Sequence, residues 1–338
     1  MTRGYQPIDP SGLRTYSIGQ RTHKAEAAAG ARLPQSGASA RELLNSLPHY
    51  LGATALRRVA DAMVAAVRHD RPVVAAFGAH VLKVGCGPIL VDLIRRGIVR
   101  AMATNGAGAI HDAELALFGE TSEEVADTIQ DGRFGMVTET LEFFDAVGAK
   151  ALHDGKGLGH AVGELLKERQ APYLEQSVFA AAHAAGIPAC VCVALGTDTV
   201  HMSAGADGAA LGQASMYDFR LLCAVVGDLG ARETARGKAD SAPGDRVGGV
   251  WLNIGSAVLL PEVFLKAVSV ARNLGANLDC MTTANLDMIR HYRPVQNVIT
   301  RPVRRGHGHE IIGHHEILLP LLRMAVLEGL AASETDQR

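Results

Sequence analysis

At 338 residues with 48% hydrophobic positions, the chain can bury a sizeable core, and open α/β sheets reach this length as one domain. A net charge of -2 excludes general attraction to nucleic acid or an anionic membrane, and aromatics at 4% exclude a base-stacking surface. No run of about 18 apolar residues offers a membrane span and no signal-peptide core opens the chain, so a soluble, cytoplasmic protein is expected.

Residues 1–40 are polar and rich in Gly, Ala and Ser, and read as an arm. Residues 41–330 read as one α/β domain and residues 331–338 as a C-terminal tail. Residues 41–69 carry apolar positions at three- and four-residue steps and predict helix, broken at Pro48. Short β-type runs then alternate with amphipathic stretches: 72–78, 97–106, 187–195, 248–255 and 276–284. This alternation predicts βαβ units, hence a Rossmann-like parallel sheet with helices on both faces and ligands beyond the carboxyl ends of its strands. The charged segment 233–246 reads as an exposed loop. Five cysteines, Cys86, Cys190, Cys192, Cys223 and Cys280, form no CxxC pair and read as reduced core thiols.

Candidate chemistry falls at strand ends. In ATNGAGAIHD, from Ala103 to Asp112, Gly106, Ala107 and Gly108 allow backbone NH groups to approach a ligand, with His111 and Asp112 following on a helix. This is the layout of a phosphate or dinucleotide loop; the alternative is a tight turn with Asp112 as a helix cap. Gly85 and Gly87 repeat the arrangement after the preceding strand. Thr197, Asp198 and His201 follow the apolar run ending at Leu195, where an Asx turn is the plainer reading. Gly255 and Ser256 form a strand-to-helix turn, and TTANLD, residues 282–287, reads as another strand end. The tail holds His307, His309, His314, His315 and Glu316, which either face solvent or bind a divalent metal. A basic run with Arg301, Arg304 and Arg305 is either a solvated face or an anion contact.

In order and spacing, the stretches TNGAGAIHD, EQSVFAAAHAAGIPACVCVAL with Asp198, NIGSAVLLPE, TTANLD and HHEILLPLL resemble the deoxyhypusine synthase family, including its homospermidine-forming members. The resemblance runs from about Val73 to Leu322. It implies a homotetrameric NAD-dependent transferase that oxidises a polyamine. It also implies a small-molecule substrate, while charge and composition predict no nucleic-acid or membrane partner. Carried over residue by residue, it places Asn105, Gly106, Ala107, Asp112, Asp198, Gly255, Ser256, Thr283, Ala284, Asp287, His314 and His315 on the cofactor.

The departures from the family lie on the substrate side. The family's nucleophilic lysine follows an Arg-Pro dipeptide, whereas here Arg293-Pro294 is followed by VQNVITRPVRRG and no lysine occurs after Lys266. Arginine cannot replace it, because it stays protonated. An active-site acid of the family falls near Gln296, a ribose-binding acid near His111 and a substrate-side aspartate near His201. With fewer carboxylates to offset desolvation of a polycation, spermidine itself is disfavoured as substrate. The expected activity is alkyl or aminoalkyl transfer on an amine-like molecule, with His111, His201 and Gln296 as catalytic candidates. Lys83 and Lys266 are the remaining candidates for an imine-forming lysine. The alternatives are an NAD-binding protein without catalysis, or a metal-dependent lyase or hydrolase built on the tail histidines.

Overall fold

The computed structural model describes residues 4–230 and 247–336, without the side chains of 333–336; the segment 233–246, expected above to be a loop, lies outside the described residues. After three single 3-10 turns in the arm come α1 (Ala40–Ser46), α2 (Leu51–Arg68), β1 (Val73–Phe77), α3 (His80–Lys83), α4 (Gly87–Arg95) and β2 (Ala101–Asn105). Then follow α5 (Gly106–Phe118), α6 (Val125–Thr128), α7 (Thr138–Asp154), α8 (Leu158–Glu168), α9 (Val178–Ala185), β3 (Ala189–Cys192) and α10 (Gly208–Gly227). The chain closes with β4 (Val250–Ile254), α11 (Leu259–Asn273), β5 (Thr282–Asp287), α12 (Tyr292–Pro294), a π-helical turn (Val295–Thr300), β6 (Gly308–Ile312) and α13 (His315–Asp336).

The six strands form one parallel sheet in the order β3-β2-β1-β4-β5-β6. The sheet with its flanking helices is the Rossmann-like α/β architecture, and the chain changes direction between β1 and β4. Every residue of β1, β3 and β4 is buried, which is why these strands read as continuous apolar runs rather than as alternating patterns. Their side chains nonetheless alternate between two cores. Val73, Ala75 and Phe77 face Leu56, Val59 and Met63 of α2 and Val178 and Phe179 of α9. Val74, Ala76 and Trp251 face Leu222 and Val226 of α10 and Phe264 and Val268 of α11, with Trp251 stacked on Phe264 at 4.2 Å between ring centroids.

Three details differ from the sequence reading. The run 276–284 is mostly loop, and the strand is Thr282–Asp287; Leu278 and Met281 are apolar because the loop buries them against the second core. The tail segment around His309 is a sixth strand whose edge position leaves it half-exposed and therefore polar. The last helix continues through residues 331–336, which the sequence sets apart as a tail. The arm from Gly4 to about residue 38 is exposed and touches the body through His49 N to Ala29 O (2.9 Å) and Arg32 N to Ser46 O (2.9 Å). All five cysteines are free thiols, four of them buried. No helix of the described residues is long and apolar enough to cross a membrane.

Two buried carboxylates tie helices to the sheet. Asp218 of α10 accepts from Val191 N (2.9 Å) and Gly159 N (3.2 Å), fixing the start of α8 against β3. Asp112 of α5 accepts from Ser177 Oγ (2.5 Å), Val178 N (2.8 Å) and Phe179 N (3.3 Å), capping α9. Desolvation pushes Asp112 up to about 6 and Asp218 up to about 7, against the lowering effect of these hydrogen bonds. Both folded values lie above the unfolded value of 3.8. Each group therefore binds more protons in the folded state between about pH 4 and about pH 7, and its contribution to stability falls as pH rises through that window. Buried histidines act in the opposite sense near pH 6, so the carboxylate effect is isolated by a difference. Urea unfolding at a series of pH values is expected to show Asp218→Asn gaining stability relative to wild type from pH 4 to pH 7. A pH-independent difference would contradict this assignment.

Candidate active site

The carboxyl edge of the sheet gathers Gly78 after β1, Gly106 after β2, Asp198 beyond β3, Gly255 and Ser256 after β4, Asp287 at the end of β5, and His314 and His315 after β6. Ligands of such sheets occupy this edge, at the point where strand order reverses.

On the β2–β3 side, α5 begins directly at the strand end, and Asn105 Oδ1 caps it by accepting from Gly108 N (3.0 Å). The backbone NH of Ala107 faces the Asp198 carboxylate. That carboxylate lies on Gly106 so closely that a Cβ there would come within 2.0 Å of Asp198 Oδ2. Asn105 takes the Gly108 donor and the Asp198 carboxylate sits over Gly106, so the protein's own groups occupy part of this helix start. Asp198 is 7% exposed, and its Oδ2 has no hydrogen-bond partner among the described residues. Burial raises its pKa, against the lowering influence of His201 and the Ala107 NH. His201 Nδ1 accepts from Gly196 N (3.1 Å) and Asp198 N (3.2 Å), so its neutral ring carries the proton on Nε2, 3.8 Å from Asp198 Oδ2. His201 thereby shapes the turn that holds Asp198.

Beside Asp198 opens a cavity of about 580 Å³, lined among others by Lys83, His111, Glu114, Glu123 and Asp198. Its far wall is the segment between α5 and α7, where Ser122 holds a left-handed φ of 71°. His111 Nδ1 lies 2.6 Å from Thr121 Oγ1, Thr121 Oγ1 donates to Glu114 Oε2, and Thr140 Oγ1 donates to Glu114 Oε1 at 2.9 Å. Desolvation lowers the pKa of His111, with the Glu114 charge opposing. Asp112, the neighbour of His111, points away to the start of α9, because successive helix positions diverge by about 100°.

On the β4–β6 side, Gly255 has φ +62, and a Cβ there would meet the His315 ring at 2.8 Å. The buried His315 places Nε2 3.3 Å from Leu286 O and its ring edge-on to His80, 5.8 Å between centroids. Its Nδ1 has no hydrogen-bond partner among the described residues, and burial lowers its pKa. Ser256 Oγ accepts from Leu260 N (3.2 Å) at the start of α11, and Asp287 Oδ1 accepts from Met288 N (2.8 Å). His314 is exposed, with Nδ1 3.7 Å from Glu316 Oε1.

Not every candidate converges on this edge. Thr283 and Ala284 stand near the start of β5, paired with Gly308 and His309, about 10–13 Å of strand from Asp287. Thr283 Oγ1 donates to Val298 O (2.7 Å) in the π-helical turn. Gln296 belongs to that turn, which packs on α11, β5 and β6. It therefore does not join His111 and His201, which lie on the other side of β1 and β4. Lys266 pairs with Glu262 on α11. Among the described residues no group of three His, Cys, Asp or Glu side chains could hold a metal ion. Glu114, Thr121 and Thr140 were not singled out from sequence. The i,i+3 spacing of His111 and Glu114 carries their proximity, while the two threonines come from outside α5 and leave no local signal.

No protein-family model matches the chain, and no curated protein matches it. Solved structures do. A protein from Entamoeba histolytica provisionally named a deoxyhypusine synthase is 11% identical, with 94% of this chain and 97% of that chain covered and a TM-score of 0.51. AgrE, solved as a ternary complex with ornithine and NAD+, is 13% identical over 88% of this chain and 34% of its own, with a TM-score of 0.50. ArgZ, an arginine dihydrolase from the cyanobacterial ornithine–ammonia cycle, is 15% identical over 88% of this chain and 33% of its own, with a TM-score of 0.47. The chain thus spans about a third of the length of AgrE and ArgZ.

The contact between Gly106 and Asp198 is testable by a double-mutant cycle. Gly106→Ala is expected to cost about 1–3 kcal/mol in urea unfolding, as overpacking does, and much less in an Asp198→Ala background. Strictly additive effects would contradict the contact. What this chain shares with the solved structures it matches is the fold, a parallel Rossmann-like sheet flanked by helices.

Proposed function

We propose that the chain is an NAD-dependent enzyme acting on an amine-like small molecule, with alkyl or aminoalkyl transfer that proceeds without the lysine of deoxyhypusine synthases. The observation that carries this reading is Asp198 Oδ2, a buried acceptor without a partner among the described residues, in the wall of a cavity that also holds His111. A buried carboxylate oxygen left unpaired is costly, and a ligand hydroxyl or ammonium would satisfy it. The fold adds a second support: AgrE was solved with NAD+ and ornithine, and the Entamoeba histolytica protein carries a deoxyhypusine synthase name. Fold alone does not fix chemistry, so the site residues carry the argument.

The residues fit the cofactor at Asp198, which would accept ribose hydroxyls, whereas the Gly255 turn on the other half of the edge already carries the His315 ring. Gly106 leaves room for the Asp198 carboxylate, Asn105 caps the same helix, and Asp287 and His315 line the same edge. The chemistry a bound NAD supplies is acceptance of a hydride. His111 would take the proton released from the substrate, and its lowered pKa keeps the ring unprotonated and free to accept it. Glu114, Glu120 and Glu123 make the cavity acidic, which suits a cationic amine. Lys83, an exposed residue lining the same cavity, is better placed than Lys266 to meet a reacting carbonyl. The homotetramer implied by the family resemblance would cover apolar side chains of the arm such as Tyr5, Ile8 and Leu33, all about nine-tenths exposed or more.

Calorimetric titration of the full chain with NAD is expected to give saturable binding, weakened at least tenfold in Asp198→Asn with the fold retained by circular dichroism. An absence of binding to wild type at millimolar NAD would overturn the cofactor reading. Equal affinity in the variant would remove Asp198 from it.

A further inference from the structure

We propose that Glu114, Thr121 and His111 form a proton relay that fixes the His111 ring in the Nδ1–H tautomer and presents Nε2 as the proton acceptor of the cavity. The inference deepens the proposed function and rests on it for the identity of the reaction, though the relay itself follows from hydrogen-bond counting. An ionised Glu114 can only accept, and both of its oxygens do so, from Thr121 Oγ1 and Thr140 Oγ1. A threonine hydroxyl has one proton. Because Thr121 gives that proton to Glu114, it can only accept from His111, and the 2.6 Å contact to Nδ1 must be Nδ1–H donating to Oγ1. The neutral ring then bears its lone pair on Nε2, which makes no hydrogen bond among the described residues.

Burial secures the arrangement. The side chains of His111 and Glu114 are each 16% exposed, so water competes little for their hydrogen bonds. The left-handed Ser122 holds the turn that carries Thr121, and such strain persists where surroundings over-determine it. Glu114 is anchored on the same helix by its i,i+3 spacing and on α7 by Thr140. When Nε2 takes a proton, the substrate O–H or N–H bond breaks and an Nε2–H bond forms. The new imidazolium keeps Nδ1–H on Thr121, and Glu114 stabilises its charge through the hydroxyl, the role an acidic residue plays behind a catalytic histidine in hydrolase triads. Other charged groups facing the cavity are Lys83 from α3, Asp198 from the turn beyond β3, and Glu120 and Glu123 from the far wall. Lys83 opposes protonation of His111 and Glu114 favours it. Thr121 and Glu114 are positioning residues in this scheme, since neither is required to touch the substrate.

The test is nitrogen NMR of the full chain with labelled histidine and no added ligand, the His111 signals being assigned by their loss in His111→Gln. Wild type is expected to show protonated Nδ1 and unprotonated Nε2 at neutral pH. Thr121→Val keeps the shape of the side chain but removes the hydroxyl and is expected to shift the ring towards the Nε2–H tautomer, while Thr121→Ser restores the wild-type pattern. Glu114→Gln is expected to lower the pKa at which the His111 signals titrate. An Nε2–H tautomer in wild type, or a Thr121→Val ring that stays Nδ1–H, would overturn the relay. NAD titration of Thr121→Val separates this outcome from the cofactor reading: binding is expected to match wild type, and failure of NAD to bind either protein counts against the cofactor reading while the tautomer still decides the relay.

Discussion

The carboxylate of Asp198 lies on the first residue of α5, and the geometry of the site depends on that contact. A helix start offers free NH donors and a partial positive charge, and a strand-loop-helix junction of this kind ordinarily receives a ligand's anion. Here the loop beyond β3 delivers an aspartate to it instead. Gly106 has no side chain because the carboxylate fills that volume, the Ala107 NH faces it, and His201 braces the turn from behind through two backbone NH groups. Its Oδ2 is buried without a hydrogen-bond partner among the described residues, next to the cavity. What the site offers a ligand at this point is a buried acceptor oxygen.

The carboxyl edge has two halves with different chemistry. The β2–β3 half is acidic and carries His111 on a hydrogen-bonded chain to Glu114. The β4–β6 half is closely packed, with His315 over Gly255 and Ser256 engaged at the start of α11. Both halves meet where the strand order reverses, which is where the fold places ligands. The chain builds this edge on a six-stranded parallel sheet and has no lysine after Lys266.

Sheet and site differ in how much of them the sequence made legible. Fully buried parallel strands announce themselves as apolar runs, so β1 to β4 stood out, and Pro48 marked the break between α1 and α2. The edge strand β6 is half-exposed and polar, and the loop before β5 is apolar because it is buried; both reverse the usual signal. In the site, Asp198 and Gly106 were each visible as strand-end residues, but their mutual contact is long-range and no local pattern encodes it. The family resemblance put Asp112 on the cofactor, whereas it caps a helix, the alternative its residue type offered, and the helix it caps is α9. Thr121 and Thr140 are invisible for the same reason that Asp198 on Gly106 is: each matters only through a partner on another element.

The central claim, that the unpaired oxygen of Asp198 is kept for a ligand, is tested most directly by a crystal structure of the chain soaked with NAD and an amine. The account predicts a ligand hydroxyl or ammonium within hydrogen-bond distance of Asp198 Oδ2, with the Ala107 contact intact. Density bound elsewhere on the carboxyl edge, with Asp198 Oδ2 still unpaired or Asp198 displaced from Gly106 by a phosphate, would contradict it.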